Sequence, residues 1–140
     1  MEYTINEIQD RIIEEFSVLD DWMDKYEYLI ELGRDLAPYD LKYRIDDYII
    51  DGCQSKVWVY GIREGEIIKY YADSDAIITK GMISLLIRVL SYQKPADILT
   101  ARLYFIEKIG LKENLSPTRS NGLAAMMKQM KVIAAELINL

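Results

Sequence analysis

The chain contains no histidine. That absence excludes Ser/His/Asp and Cys/His catalysis, both of which need an imidazole base. Cysteine is nearly absent too: Cys53 is the only one. One cysteine cannot form an intrachain disulfide, and without histidine it cannot build a Cys/His zinc site. Positive charge is in deficit, with 17 Lys and Arg against 23 Asp and Glu for a net charge of −6. This balance argues against nucleic acid, whose phosphates need a basic patch, and against an anionic membrane surface. An acidic face that meets a basic protein partner stays open. No apolar run approaches the ~20 residues of a spanning helix. Met1-Glu2-Tyr3-Thr4 lacks the basic and apolar regions of a signal peptide. A free thiol without such a leader points to a reducing, cytoplasmic setting.

What is present reads as one globular domain over residues 1–140, with 51% hydrophobic residues and no repeat, linker or low-complexity segment. Thr4-Ile5-Asn6-Glu7 has the pattern of a capping box, and Ile5, Ile8, Ile12 and Phe16 follow at helical spacing. These residues predict a helix over about 5–18. Asp20 or Asp21 can cap a second helix over about 21–36, ended by Ala37-Pro38. Residues 38–52 show no helical period and read as a connection. Ser55–Ile62 and Glu66–Ala72 read as two strands of a hairpin, with Glu64-Gly65 as the turn. Both faces of this hairpin are apolar: Val57 and Val59 on one, Trp58, Tyr60 and Ile62 on the other. Such a sheet is covered on both sides or meets a partner, which leaves room for a homodimer.

Ile77–Leu90 is the most apolar helix, with Ser74 or Asp75 available to cap it. Short helices are predicted at Pro95–Leu99 and at Leu103–Ile109, the second closed by Gly110. Ser116 as cap and Pro117 at the first helical position start a long final helix to about 138. Its buried stripe is Leu123, Met126, Met127, Met130, Ile133, Ala134 and Leu137. The fold class is α+β: a small antiparallel sheet packed by several helices.

Cys53 lies in Asp51-Gly52-Cys53-Gln54-Ser55, where a loop enters the first strand. Gly52 opens backbone conformations closed to other residues. One reading of Cys53 is a small buried hydrophobe, the usual role of a free cysteine. The other is a reactive thiol on a loop carried by a rigid framework. A lone thiolate is a good nucleophile toward an S–S bond, and a donor persulfide contains such a bond. An unperturbed thiol is only a few per cent ionised at neutral pH, so a nearby cation or peptide N–H would help it. Arg119, in the first turn of the final helix, is out of place where acids are preferred. It therefore has a partner elsewhere, either an acid or the sulfur site. The Gln54 amide could set the position of the thiol. Asp73-Ser74-Asp75 reads as a strand end and helix cap rather than a metal pair.

Three blocks carry a family resemblance. Gly52-Cys53-Gln54-Ser55-Lys56-Val57-Trp58 resembles the active-site segment of SufE-type sulfur acceptors. Ala72-Asp73-Ser74-Asp75-Ala76-Ile77-Ile78-Thr79-Lys80-Gly81 resembles the strand-to-helix junction of that family, and Leu115–Leu123 its third block. Order and spacing match over nearly the whole chain.

The resemblance implies an α+β fold shared with iron–sulfur scaffold proteins. It implies that Cys53 accepts persulfide sulfur from a cysteine desulfurase and stimulates that enzyme. The sulfur then passes on for iron–sulfur cluster assembly. The protein would be a sulfurtransferase-like carrier rather than a stand-alone enzyme, with no cofactor and no metal. Asp75 and Arg119 match family positions near the cysteine loop, which implies supporting roles. A single cysteine argues against cluster assembly on this chain. Two other readings of the thiol are a non-covalent module that activates a desulfurase and a redox sensor.

Overall fold

The computed structural model describes residues 3–140. Thr4 caps α1 (Ile5–Ser17): its hydroxyl accepts from the Glu7 N–H, and Glu7 accepts from the Thr4 N–H at 2.9 Å. The expected capping box is thus formed. Asp21 caps α2 (Trp22–Arg34) by accepting from the Asp24 N–H. Two strands follow, β1 (Val57–Glu64) and β2 (Ile67–Ser74), paired antiparallel through a turn at Gly65-Glu66. The turn falls one residue later than Glu64-Gly65 because Glu64 still pairs with Ile67, and Gly65 takes the required positive φ of 60°.

The two faces of the hairpin are covered differently. Val57, Val59, Ile68, Tyr70 and Ala72 are buried in the core beneath α3 (Ile77–Leu90) and α7 (Pro117–Leu137). There the Tyr70 hydroxyl donates to the Met130 carbonyl at 2.6 Å. Trp58 and Tyr60 on the other face are covered by the connection expected to be structureless. That connection holds two 3-10 turns, Leu41–Tyr43 and Asp46–Tyr48. Tyr43 stacks on Tyr60 at 3.9 Å between ring centroids, and the Arg44 guanidinium lies 4.0 Å over the Trp58 ring. At Trp58 and Tyr60 the second apolar face is therefore met by the chain itself, while Ile62 farther along the same face stays 41% exposed. Both sheet edges also receive backbone from the chain: Ile49 bridges Trp58 on β1, and Gln93 bridges Ile68 on β2.

Two helix expectations need correction. Neither Ser74 nor Asp75 caps α3. Ala76 occupies the cap position without a side-chain hydrogen bond, because the Ser74 and Asp75 side chains are engaged by Lys56. The helix expected at 103–109 forms only as α5 (Phe105–Lys108), closed before Gly110 as expected, and an unforeseen helical turn α6 (Leu111–Asn114) follows that glycine, whose φ is 83°. The short helix after Pro95 forms as α4 (Pro95–Thr100). Ser116 caps α7 by accepting from the Arg119 N–H, with Pro117 at the first helical position as expected. Met126, Met130 and Ala134 are fully buried, while Met127 and Leu137 sit half-buried at the margin of the stripe.

The α2–α3 crossing is close enough to require glycine. A Cβ on Gly33 would stand 2.7 Å from the Gly81 nitrogen, and one on Gly81 would overlap the Leu29 carbonyl. Backbone cannot swing aside as a side chain can, so the helices would have to separate. Their fit sets where the start of α3 lies. Gly81→Ala is expected to lower stability by about 2 kcal/mol or more. Urea unfolding measures this; an unchanged midpoint would contradict the close crossing.

Candidate functional site

Cys53 stands in a loop held at both ends. At the base, the Ile50 N–H donates to the Val57 carbonyl at 2.8 Å, which closes residues 51–56 into a loop. Ile50 and Val57 are both buried, so this closure is anchored in the core. At the exit, the Lys56 N–H donates to Asp75 Oδ1 at 3.0 Å, and the Asp75 N–H donates to the Lys56 carbonyl at 3.2 Å. The Ser74 hydroxyl donates to that same carbonyl at 2.9 Å. Just inside the loop, the hydroxyls of Ser55 and Thr79 share a hydrogen bond of 3.1 Å.

Gly52 turns the loop toward α7. Its φ is 93°, and a Cβ there would lie 3.3 Å from the Ala125 Cβ. Both the positive φ and the close approach suit glycine. The turn sets the Cys53 Sγ 3.6 Å from the Gly122 carbonyl, to which the thiol donates. Cys53 is half-buried and opens on a cleft of about 270 Å³. The cleft lies between the loop, the start of α3 and the first turns of α7. Gln54, Ser55, Thr79 and Arg119 supply polar walls, while Met82 and Met126 supply part of its apolar lining.

Burial pushes the Cys53 thiol above its ordinary value. Desolvation penalises the thiolate, and here it meets no compensating charge. The help expected from Arg119 is thus absent in this state. The Arg119 side chain is exposed at the cleft, with its guanidinium 6.0 Å from the Tyr26 ring centroid. Among the described residues no acid lies within ion-pair distance of it.

Of the residues picked out from sequence, Cys53, Gln54 and Arg119 line one cleft, and Gly52 bends the loop that presents them. Asp75 lies outside the cleft lining and holds the exit of the loop. Asp73 ends in ion pairs with Arg44 at 3.1 Å and Lys80 at 3.4 Å. Among the described residues no group of three or more His, Cys, Asp or Glu could hold a metal ion. Sequence reasoning missed the Ser55–Thr79 pair and the Gly122 carbonyl. A hydroxyl contact across 24 positions has no spacing signature, and a carbonyl is the same atom in every residue.

The SufE family profile, described as an Fe-S metabolism associated domain, matches residues 10–134. The chain belongs to the SufE family. The "Cysteine desulfuration protein SufE" of Wigglesworthia glossinidia brevipalpis is 38% identical, covering 90% of this chain and 89% of its own. An uncharacterised SufE-like protein of Rhizobium etli is 39% identical over 87% of this chain and 86% of its own. The chloroplastic/mitochondrial SufE-like protein 1 of Arabidopsis thaliana is 36% identical over 90% of this chain but only 34% of its own. The solution structure of a hypothetical protein from Thermus thermophilus superposes with a TM-score of 0.79, over 95% of this chain and 97% of that one. At 21% identity that likeness speaks to the α+β fold alone. In this SufE chain the cysteine block, the strand-to-helix junction and the third block converge on the cleft and the loop that borders it.

Because the thiolate is the species that reacts, the alkylation rate of Cys53 by iodoacetamide is expected to rise with pH about a midpoint above the usual thiol value near 9. In denaturant the midpoint should fall back. The raised folded value also fixes the sign of the stability effect. The neutral thiol contributes fully below its unfolded pKa, and the contribution declines as pH rises toward the folded one. A native midpoint at or below the denatured one would contradict desolvation at Cys53.

Proposed function

We propose that this protein acts as one sulfur-acceptor domain that takes persulfide sulfur from a cysteine desulfurase onto Cys53 and passes it on for iron–sulfur cluster assembly. The observation that carries the reading is the placement of the sole thiol: on a loop fixed at both ends, facing a cleft, in a SufE-family chain. The cysteine desulfuration for which the Wigglesworthia relative is named supports it.

The chemistry needs no imidazole. The Cys53 thiolate attacks the outer sulfur of a donor persulfide R–S–SH. A new S–S bond forms on Cys53, the donor S–S bond breaks, and the donor leaves as its thiol. The proton given up by Cys53 balances the one taken by the donor, and no net oxidation occurs. No cofactor or resident metal enters this step.

The resting thiol is neutral and half-buried, so docking must raise its thiolate fraction. Arg119 is the cation placed to do so, since its exposed guanidinium at the cleft can approach the sulfur when the loop opens. The Gln54 amide sets the position of the thiol within the loop, Gly52 permits the bend, and Asp75 holds the exit so that the loop moves as a unit. Stimulation of the desulfurase follows from unloading its persulfide. The partners are the desulfurase and, downstream, an iron–sulfur scaffold complex. We place the reaction in the cytoplasm, where a lone thiol stays reduced.

Incubation with a desulfurase and cysteine, without reductant, is expected to add ~32 Da, the mass of one sulfur gained by S–S exchange. The adduct should vanish on reduction and never form on Cys53→Ser. Intact-mass spectrometry checks this, and absence of the adduct on the wild-type chain would sink the proposal. Full stimulation by Cys53→Ser would instead favour a non-covalent activator. Arg119→Ala is expected to slow loading about tenfold with little change in the urea midpoint, as for a lost charge-assisted contact of ~1.4 kcal/mol.

A further inference from the structure

The thiol contact with Gly122 suits only one state of the sulfur. Sγ reaches the Gly122 carbonyl by donating its proton, across 3.6 Å. A persulfide anion has no proton to donate, and an anion facing a carbonyl oxygen is repelled. Its outer sulfur extends about 2 Å beyond Sγ, the length of an S–S bond. It must therefore lie in the cleft, which at about 270 Å³ has room for it.

The cleft offers few places for a charged sulfur. Ala76, Ile78, Met82 and Met126 contribute apolar wall. Gln54, Thr118 and Arg119 are exposed, where water competes for each hydrogen bond. The pair Ser55–Thr79 is different. Thr79 is only 6% exposed, and its hydroxyl meets that of Ser55 at 3.1 Å on the cleft wall. Each hydroxyl has one proton and can accept. Whichever donates to the other, one O–H is left over. When the half-buried Ser55 donates to Thr79, the spare proton sits on the buried Thr79, and a buried donor is worth more to an anion than an exposed one.

We propose that the Ser55–Thr79 hydroxyl pair is the seat of the carried sulfur. When Cys53 is loaded, its outer sulfur turns from Gly122 and accepts a hydrogen bond from this pair. The inference rests on the sulfur-acceptor reading and deepens it by naming what holds the cargo. Loading itself is the balanced exchange Cys53–SH + R–S–SH → Cys53–S–SH + R–SH. The seated persulfide then releases its proton to solvent, and the hydroxyl donor stabilises the anion. Ser55 and Thr79 are thus positioning residues: they hold the sulfur without forming or breaking its bonds.

The test loads the full chain with inorganic polysulfide and follows alkylation of the persulfide against pH. The double variant Ser55→Ala/Thr79→Val removes both hydroxyls with little change in shape. Its persulfide midpoint is expected to rise by about half a pH unit, leaving about threefold less anion below both midpoints. The midpoint of its unloaded thiol, which faces Gly122, should not move. Ser55→Ala/Thr79→Ser, which keeps one hydroxyl, should restore the wild-type persulfide profile. If the double variant does not fold, Ser55→Asp serves instead, because a carboxylate at the seat must raise the persulfide midpoint further. A persulfide midpoint unchanged in the folded double variant, or in Ser55→Asp, overturns the seat and leaves the acceptor role standing. A wild-type chain that takes no sulfur from polysulfide or from a desulfurase overturns the acceptor reading itself.

Discussion

The contact between the Cys53 thiol and the Gly122 carbonyl is one that only a protonated, unloaded sulfur can make. It keeps the reactive atom neutral in the resting state, and burial pushes the same way. A thiol so held resists oxidation, because oxidants act on the thiolate. That protection costs reactivity, and under the proposed role a docked partner supplies what the resting cleft withholds. The loop geometry suits such an arrangement. Its base is fastened by Ile50 and Val57 in the core and its exit by Asp75, Ser74 and the Ser55–Thr79 hydrogen bond, leaving Gly52 to Gln54 as the least tethered part.

Each wall of the cleft is set by a different part of the fold. The start of α3 is fixed by the glycine-to-backbone crossing with α2. The start of α7 is fixed by the Ser116 cap and by Pro117. The loop is led in from the tyrosine-bearing segment that lies over Tyr60 and Trp58. An ion pair between Glu15 and Arg88 adds a tie from α1 to α3, with both hydrogen bonds of a forked pair formed. The guanidinium lowers the Glu15 pKa and the carboxylate raises that of Arg88, and the two directions agree on an attractive contact.

Much of this was legible in the residues. Periodicity and end signals found α1, α2, α3 and α7, since Thr4-Glu7, Asp21 and Ser116-Pro117 act within one turn of chain. Cys53 and Gln54 from the cysteine block and Arg119 from the third block line the same cleft. What escaped was set by distant contacts. Lys56 was read as strand, yet its backbone is taken by Asp75 and Ser74, so β1 starts only at Val57. Gln9 is polar, but it is fully buried because its amide serves the Arg102 carbonyl and the Phe105 N–H far along the chain. The segment 38–49 has no period because it follows the tyrosine face beneath it rather than a helix axis of its own.

The bridges at Ile49 and Gln93 bear on how another protein can approach. A two-stranded ribbon normally invites an extended peptide to add as a third strand along a free edge. Here the backbone groups at Trp58 and Ile68 are already spoken for by the chain. A visitor aligned along either edge would have to evict native hydrogen bonds before making new ones. At those two positions strand addition is therefore disfavoured, and under the proposed sulfur-acceptor role a docking partner would read side chains around the mouth of the cleft instead.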